Sequence, residues 1–169
     1  MLIRPAIKED FPAIAELTND FIRSTAVHFA YEPVSAGELE DQWRETRVRF
    51  PWFTAEINGR FAGYAKAGPW RTRAAYQWTA EVGIYIEAVH RGSGVGKRLY
   101  TALIDELRER GFHSAVGGMT QPNDASARLH ERLGFEFVGS FREAGRKMGE
   151  WHDVAFWQLL LRDSTHCPV

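Results

Sequence analysis

The sequence predicts an α/β fold, a mixed and mostly antiparallel central sheet of about seven strands flanked by about four helices. Three observations carry that expectation. Apolar residues alternate between helical spacing and short strand-like runs along the chain. Asn58-Gly59 separates two such runs, the strongest short-range signal for a two-residue hairpin turn. The run ending at Ile86 leads into a glycine cluster, Gly92 to Gly96, that opens a helix. With 169 residues and 44% hydrophobic content, the chain is expected to form one globular domain, 1–169, with a proper core.

In chain order, Leu2 to Arg4 is short and apolar and reads as a strand. Between Asp10 and Arg23, Phe11, Ile14, Leu17, Phe21 and Ile22 recur at helical spacing. Ser35 heads a second helix, with Glu38 in capping-box position, that is expected to run to about Arg49 before Pro51 stops it. Trp52 to Ile57 and Arg60 to Ala67 are the two arms of the hairpin. A polar loop, Gly68 to Gln77, precedes a strand that carries a lone buried acid, Glu81. Val95, Leu99, Leu103 and Leu107 then form one face of a helix that ends near Gly111. His113 to Gly118 reads as a strand, and Asn123 caps a helix through Leu133, closed by Gly134, with Ala127 and Leu129 among its buried residues. Phe135 to Phe141 and Trp151 to Leu161 are the last strands, around a turn at Lys147 to Glu150, and the tail Asp163 to Val169 reads as frayed. No internal repeat, low-complexity stretch or linker interrupts this order.

Composition excludes several classes of function. A net charge of −1, with neither sign in blocks, gives no pull toward nucleic acid or anionic membrane, so an anion site has to be local. The aromatic residues lack an interleaved basic stripe, and core packing is their default, with Trp43, Trp52 and Phe29 as candidate dimer or pocket residues. Cys167 is the only cysteine, which rules out an intrachain disulfide and a thiolate metal cluster. No metal is expected. No apolar run reaches the ~20 residues needed to span a bilayer, and the N-terminus lacks an apolar signal core, so a soluble, cytoplasmic protein is expected.

The glycine cluster, Arg91-Gly92-Ser93-Gly94-Val95-Gly96-Lys97, carries the chemistry. Glycines let a backbone approach a ligand, and the free N–H groups and dipole of a helix start favour phosphate oxygens. A Walker A loop would need Gly at Arg91 and Ser or Thr at Arg98, and a dinucleotide fingerprint would need Gly at Lys97. Both fail. The stretch resembles motif A of the GNAT acetyltransferases, Arg/Gln-x-x-Gly-x-Gly/Ala, here Arg91, Gly94 and Gly96. That motif holds the pyrophosphate of acetyl-CoA in the superfamily; a tight turn with no ligand is the alternative. The element order is similar to the GNAT fold over nearly the whole chain.

Separated peptides narrow the resemblance to the phosphinothricin N-acetyltransferases and their relatives that acetylate methionine sulfoximine and sulfone. They are Ser24-Thr25-Ala26-Val27-His28-Phe29 with Glu32-Pro33, Phe50-Pro51-Trp52, Ala67-Gly68-Pro69-Trp70-Arg71, Trp78-Thr79-Ala80-Glu81, Pro122-Asn123-Asp124 with Leu129-His130-Glu131, and Gly149-Glu150-Trp151-His152-Asp153-Val154. The resemblance implies transfer of acetyl from acetyl-CoA to the α-amine of a small amino-acid-like substrate, in a homodimer whose pocket the neighbouring subunit completes, with Phe29 to Tyr31 as the contributed segment.

An α-amine of pKa roughly 8 or higher arrives mostly protonated, so the reaction needs a general base. Glu81, on an apolar strand where desolvation raises its pKa, is the first candidate; a structural carboxylate is the alternative reading. His130 is the second, because the resembled family has a histidine assigned as a base in this helix; an exposed, solvated His fits the helical geometry equally. The loop Arg71-Thr72-Arg73-Ala74-Ala75-Tyr76 offers Arg forks and a phenol to an anion, and the resemblance places substrate binding on it; the bland reading is a solvated basic loop. For the cofactor, the resemblance implies backbone contacts from Ile84, Tyr85 and Ile86 to the pantetheine and from Gly92, Ser93, Gly94, Val95, Gly96 and Lys97 to the pyrophosphate, with Asn123 bonding the pantetheine arm as well as capping its helix.

The chain departs from the family at Val82-Gly83, where small polar or imidazole side chains are usual, and in Gly117 to Gln121. A hydrophobic floor such as Val82 and Met119 would favour a methionine derivative or another amino acid over phosphinothricin. Two further readings keep the fold: a protein or peptide N-acetyltransferase, which needs an open groove where Trp70 and the compact loop suggest a closed pocket, and a non-catalytic CoA-binding domain, in which the acid would be lost.

Overall fold

The computed structural model of the chain describes residues 1–162, so the tail expected at Asp163 to Val169 lies outside the described residues. Seven strands form one sheet: β1 (Leu2–Pro5), β2 (Trp52–Ile57), β3 (Arg60–Pro69), β4 (Thr79–Ile86), β5 (Ser114–Thr120), β6 (Glu136–Lys147) and β7 (Glu150–Leu160), in the spatial order β1-β2-β3-β4-β5-β7-β6. All neighbours pair antiparallel except β4 and β5. Four helices cover it: α1 (Phe11–Ser24), α2 (Ala36–Thr46), α3 (Val95–Glu109) and α4 (Asp124–Arg132). Among the described residues no helix is long and apolar enough to cross a membrane.

Local chemistry explains most boundaries. Asn58 and Gly59 have φ of 50° and 75°, the paired positive values that a tight hairpin between β2 and β3 requires. At the start of α2, Ser35 Oγ accepts from the Glu38 N–H while the Glu38 carboxylate accepts from the Ser35 N–H, the reciprocal capping box. That helix ends at Thr46, earlier than the expected Arg49, because residues 47–50 tighten into a turn in which the Phe50 N–H returns to the Thr46 carbonyl. β6 runs on to Lys147, well past Phe141, through an irregular register between Phe141 and Gly145 that its polar sequence does not announce.

Each face of the sheet has its own core. On one face α3 lays down Val95, Leu99, Leu103 and Leu107, all fully buried, against Ala65, Ala80, Ala115 and Trp157. On the other, α1 and α2 pack Phe11, Ile14, Leu17 and Leu39 over Trp52 and Tyr64. The Thr18 hydroxyl meets the Tyr64 hydroxyl at 2.7 Å and ties α1 to β3. Strand alternation then sorts β4: Val82, Ile84 and Ile86 face α3, whereas Glu81, Gly83 and Tyr85 face α1 and α2.

Candidate active site

Two open edges of the backbone meet near the middle of the sheet. β4 pairs with β5 only at Thr79–Ser114, Ala80–Ala115 and Glu81–Val116, so from Val82 to Ile86 the backbone groups that would face β5 have no strand partner. This gap leads to the start of α3. There Gly92 and Gly94 adopt φ of 77° and 86°, a left-handed turn that suits glycine, and Gly94 as N-cap offers no side-chain bond. The first N–H groups of α3, on Val95, Gly96 and Lys97, therefore stand uncapped at the positive end of the helix. Gly96 packs close, since a Cβ there would lie 3.4 Å from Leu129 and 3.8 Å from Ile84. The residues present fit a thioester cofactor: an open strand edge for an amide-bearing arm and an anion site for a pyrophosphate.

Within this stretch the residues expected to bind cofactor play distinct parts. Arg91 turns back: its Nε donates to the Ile86 carbonyl at 3.2 Å and its guanidinium lies 5.2 Å from the Phe21 ring, bracing the turn. The Ser93 hydroxyl donates to the His90 carbonyl at 2.6 Å. Tyr85 faces the opposite side from Ile84 and Ile86, stacked on Tyr64 at 5.1 Å, and burial pushes its phenol up to about 12. Asn123 caps α4 by accepting from the Ser126 N–H at 3.2 Å.

On the α1/α2 face, β4 borders a cleft of about 390 Å³, within the range of small-molecule sites. Its floor is Trp52, Lys66, Gly68, Glu81, Gly83 and Gly118, and α2 closes it with Gln42 and Thr46. Glu81 is not a buried acid, as the apolar strand suggested, but opens on this cleft, because Gly68 opposite it and Gly83 beside it carry no side chains. Partial desolvation nonetheless raises its pKa above the ordinary carboxylate value, against the pull of the Lys66 and Arg71 charges. A larger groove of about 1300 Å³ runs between α1, the β2–β3 turn and Glu87 to Arg91, but it does not include Glu81. Size alone does not mark the site; the carboxylate and its cations do.

Sequence reasoning missed Lys66. It stands opposite Gly83 in the β3–β4 ladder with its Nζ 4.9 Å from the Trp52 ring centre. Burial lowers its pKa, and Glu81 partly restores it through space, without a hydrogen bond between them. A lysine inside an apolar strand was the available signal. The expected substrate loop stands at the rim: Arg71, Thr72, Arg73 and Tyr76 are exposed, Ala74–Tyr76 form a short 3-10 turn, and the Arg71 guanidinium lies 5.1 Å from the Trp70 ring. None of the four lines the cleft in this structure.

His130 is a core residue, at odds with a solvated one, while Ala127 and Leu129 are only half-buried. Its Nδ1 donates to the Ser126 carbonyl at 2.8 Å, which leaves Nε2 to accept from the Tyr100 hydroxyl at 3.2 Å. Burial lowers its pKa, opposed by the Ser126 carbonyl. The ring packs under Gly117, where a Cβ would come within 2.3 Å of Nε2. By strand alternation Gly117 faces α3, so Glu81 and His130 lie on opposite faces of the sheet. The Val82 and Met119 side chains pack in the α3-side core, so although Val82 borders the cleft, neither side chain forms its floor on the Glu81 side. Phe29 packs on Gly145 of its own chain, and the Tyr31 hydroxyl donates to the Arg146 carbonyl, which fastens this segment to β6.

Residues 12–135 match the model of the acetyltransferase (GNAT) family. The chain is 44% identical over 156 residues to a phosphinothricin N-acetyltransferase of Streptomyces viridochromogenes, covering 92% of this chain and 85% of that protein. It is 37% identical to an L-methionine sulfoximine/L-methionine sulfone acetyltransferase of Salmonella typhimurium, covering 95% of each. The crystal structure of a GNAT superfamily phosphinothricin acetyltransferase from Sinorhizobium meliloti in complex with acetyl-CoA superposes with a TM-score of 0.95 at 29% identity, covering 99% of this chain and 92% of that one. With an uncapped helix start beside an open strand edge, and likeness over nearly its full length, the chain belongs to the GNAT acetyltransferase family.

Proposed function

We propose that this acetyltransferase moves acetyl from acetyl-CoA to the α-amine of a small amino-acid-like substrate of the phosphinothricin or methionine sulfoximine type, with Glu81 as general base. The observation that carries the reading is a half-desolvated carboxylate in a small cleft at the point where β4 parts from β5. Relatives named for these same substrates support it.

Bound acetyl-CoA supplies an activated thioester; the rest is done by the chain. Val95 to Lys97 hold the pyrophosphate on their uncapped N–H groups, and the free edge of β4 orients the pantetheine. Glu81 takes one proton of the substrate ammonium, directly or through a water, so that the amine nitrogen can bond the acetyl carbon; the carbon–sulfur bond breaks, and the second proton shed by the nitrogen ends on the sulfur, so that CoA leaves as the thiol. The raised pKa of Glu81 makes it a stronger base than an ordinary carboxylate. The unpaired N–H groups of β4 beyond Glu81 are the donors open to the developing oxyanion. His130, neutral and bonded on both sides, holds α4 against α3 as a positioning residue. Arg71, Arg73 and Tyr76 at the rim receive the incoming anion. Phe137 and Trp151 toward the α3 side and Phe141 toward the other, at 59%, 60% and 65% exposure on the outermost β6–β7 pair, make this edge of the sheet the place where a second copy would dock.

A thiol-release assay with acetyl-CoA tests the function. Phosphinothricin, methionine sulfoximine, methionine sulfone, the common amino acids and a lysine-bearing peptide form the panel. Rapid turnover of a free amino acid or analogue is expected; turnover of the peptide alone would overturn the small-substrate reading.

A further inference from the structure

We propose that Lys66 is a specificity-determining residue that holds the anionic end of the substrate side chain, so that the cleft selects acidic, glutamate-like amino acids over neutral, methionine-like ones. This rests on the acetyl-transfer reading above and names the substrate class of the same site.

Three observations converge on Lys66. The first is its place in the ladder. Glu81 pairs with Gly68 and Lys66 with Gly83, so the two charged residues occupy diagonal positions on one face, about 7–8 Å apart between backbones. They share the cleft without a hydrogen bond, which leaves room for a ligand between them. An amine at Glu81 and an acidic group several bonds away at Lys66 match that spacing; the α-carboxylate, one carbon from the amine, does not need so long a reach.

The second is the arrangement of cations around Glu81. Along β3 and its continuation, Lys66 lies to one side of the residue opposite Glu81 and Arg71 to the other, and both charges act on that carboxylate. Arg71 is exposed at the rim, whereas Lys66 is enclosed against Trp52 under α2. An amino acid entering with its amine at Glu81 leaves its α-carboxylate toward the rim and sends its side chain inward, onto Lys66.

The third is what the inner end lacks. Val82 borders the cleft, but by strand alternation its side chain, like that of Met119, packs into the core on the other face. A partly desolvated ammonium with no bonded anion is costly to keep unless an anion arrives to pair with it. A neutral sulfone would leave that ammonium unpaired in the bound state.

The experiment compares wild-type, Lys66→Met and Lys66→Arg proteins with phosphinothricin and glutamate as acidic ligands and methionine sulfone and glutamine as neutral ones. It reads kcat/KM with acetyl-CoA and, independently of turnover, calorimetric Kd on CoA-loaded protein. At a pH above the acid limb of both proteins, Lys66→Met should weaken the acidic ligands about ten- to a hundredfold and leave the neutral ones within about twofold, and Lys66→Arg should restore most of the acidic preference. An equal loss for acidic and neutral ligands would overturn the proposal, since it would place Lys66 on the shared α-carboxylate or on the fold. So would an unchanged ratio. Wild-type protein that binds acidic ligands through Lys66 but acetylates none of them would overturn the acetyl-transfer reading and leave the role of Lys66 standing.

Discussion

On its α3 face the sheet meets Leu99, Leu103 and Leu107, each fully buried, whereas on its α1/α2 face the same strands leave a cleft of about 390 Å³ around Glu81. Adjacent glycines of β5 show how one strand serves both. Gly117 is a packing glycine, its missing Cβ replaced by the His130 ring. Gly118, facing the other way, borders the cleft and is packed as well, since a Cβ there would come within 2.8 Å of the Phe156 ring. In β4, Gly83 leaves space that no other side chain fills; a Cβ there would meet only Tyr85, at 3.8 Å. Glycine thus gives close contact in β5 and open volume at Gly83 in β4, and the core and the cleft should answer mutation differently.

The sharpest break fills the cleft. Gly83→Leu should lower kcat/KM for the amino-acid substrate by about a hundredfold or more, because displaced reacting groups lose rate steeply. Its melting temperature should stay close to wild type, as a thermal scan will show, since the added side chain enters open space. His130→Ala should do the reverse. It opens a cavity beneath Gly117 and strips Tyr100 of its acceptor, so urea unfolding should show a loss of about 2–4 kcal/mol. The enzyme that remains folded should keep the acid limb of its pH profile. Gly94→Val forces a β-branched residue to φ of 86°, at a cost of about 1–2 kcal/mol, and should raise the KM for acetyl-CoA roughly tenfold while sparing the amino-acid KM.

The smallest effect is electrostatic. Glu81 must be ionised to accept a proton, so kcat/KM should fall as pH drops through its pKa, which lies above the ordinary carboxylate value. Lys66 stabilises the ionised form. Lys66→Met should therefore move the acid limb to higher pH, by less than about one pH unit, in a profile measured with a neutral substrate.

The fold was legible because its signals are local. The Asn58-Gly59 turn, the Ser35/Glu38 box and the Leu99, Leu103, Leu107 stripe each state their element within a few residues. β6 was only half legible, since Arg142 to Ala144 form an unpaired irregularity and Gly145 to Lys147 rejoin the sheet only by pairing with β7. In the site, the glycine turn and Glu81 announced themselves by residue type. The cleft did not, because it is assembled across β2, β3, β4, β5 and α2, whose juxtaposition no single segment encodes. Lys66 was hidden for that reason, and so was the burial of His130, because a helix wheel does not show that Gly117 lies against it.

The most direct test of Glu81 as the base is single-turnover acetyl transfer by Glu81→Gln, measured beside its Kd for acetyl-CoA. Acetyl-CoA binding within about twofold of wild type, with transfer slowed by about a hundredfold or more and not recovered at higher pH, is the expected result. Transfer at the wild-type rate would contradict it and move the proton acceptor elsewhere in the molecule.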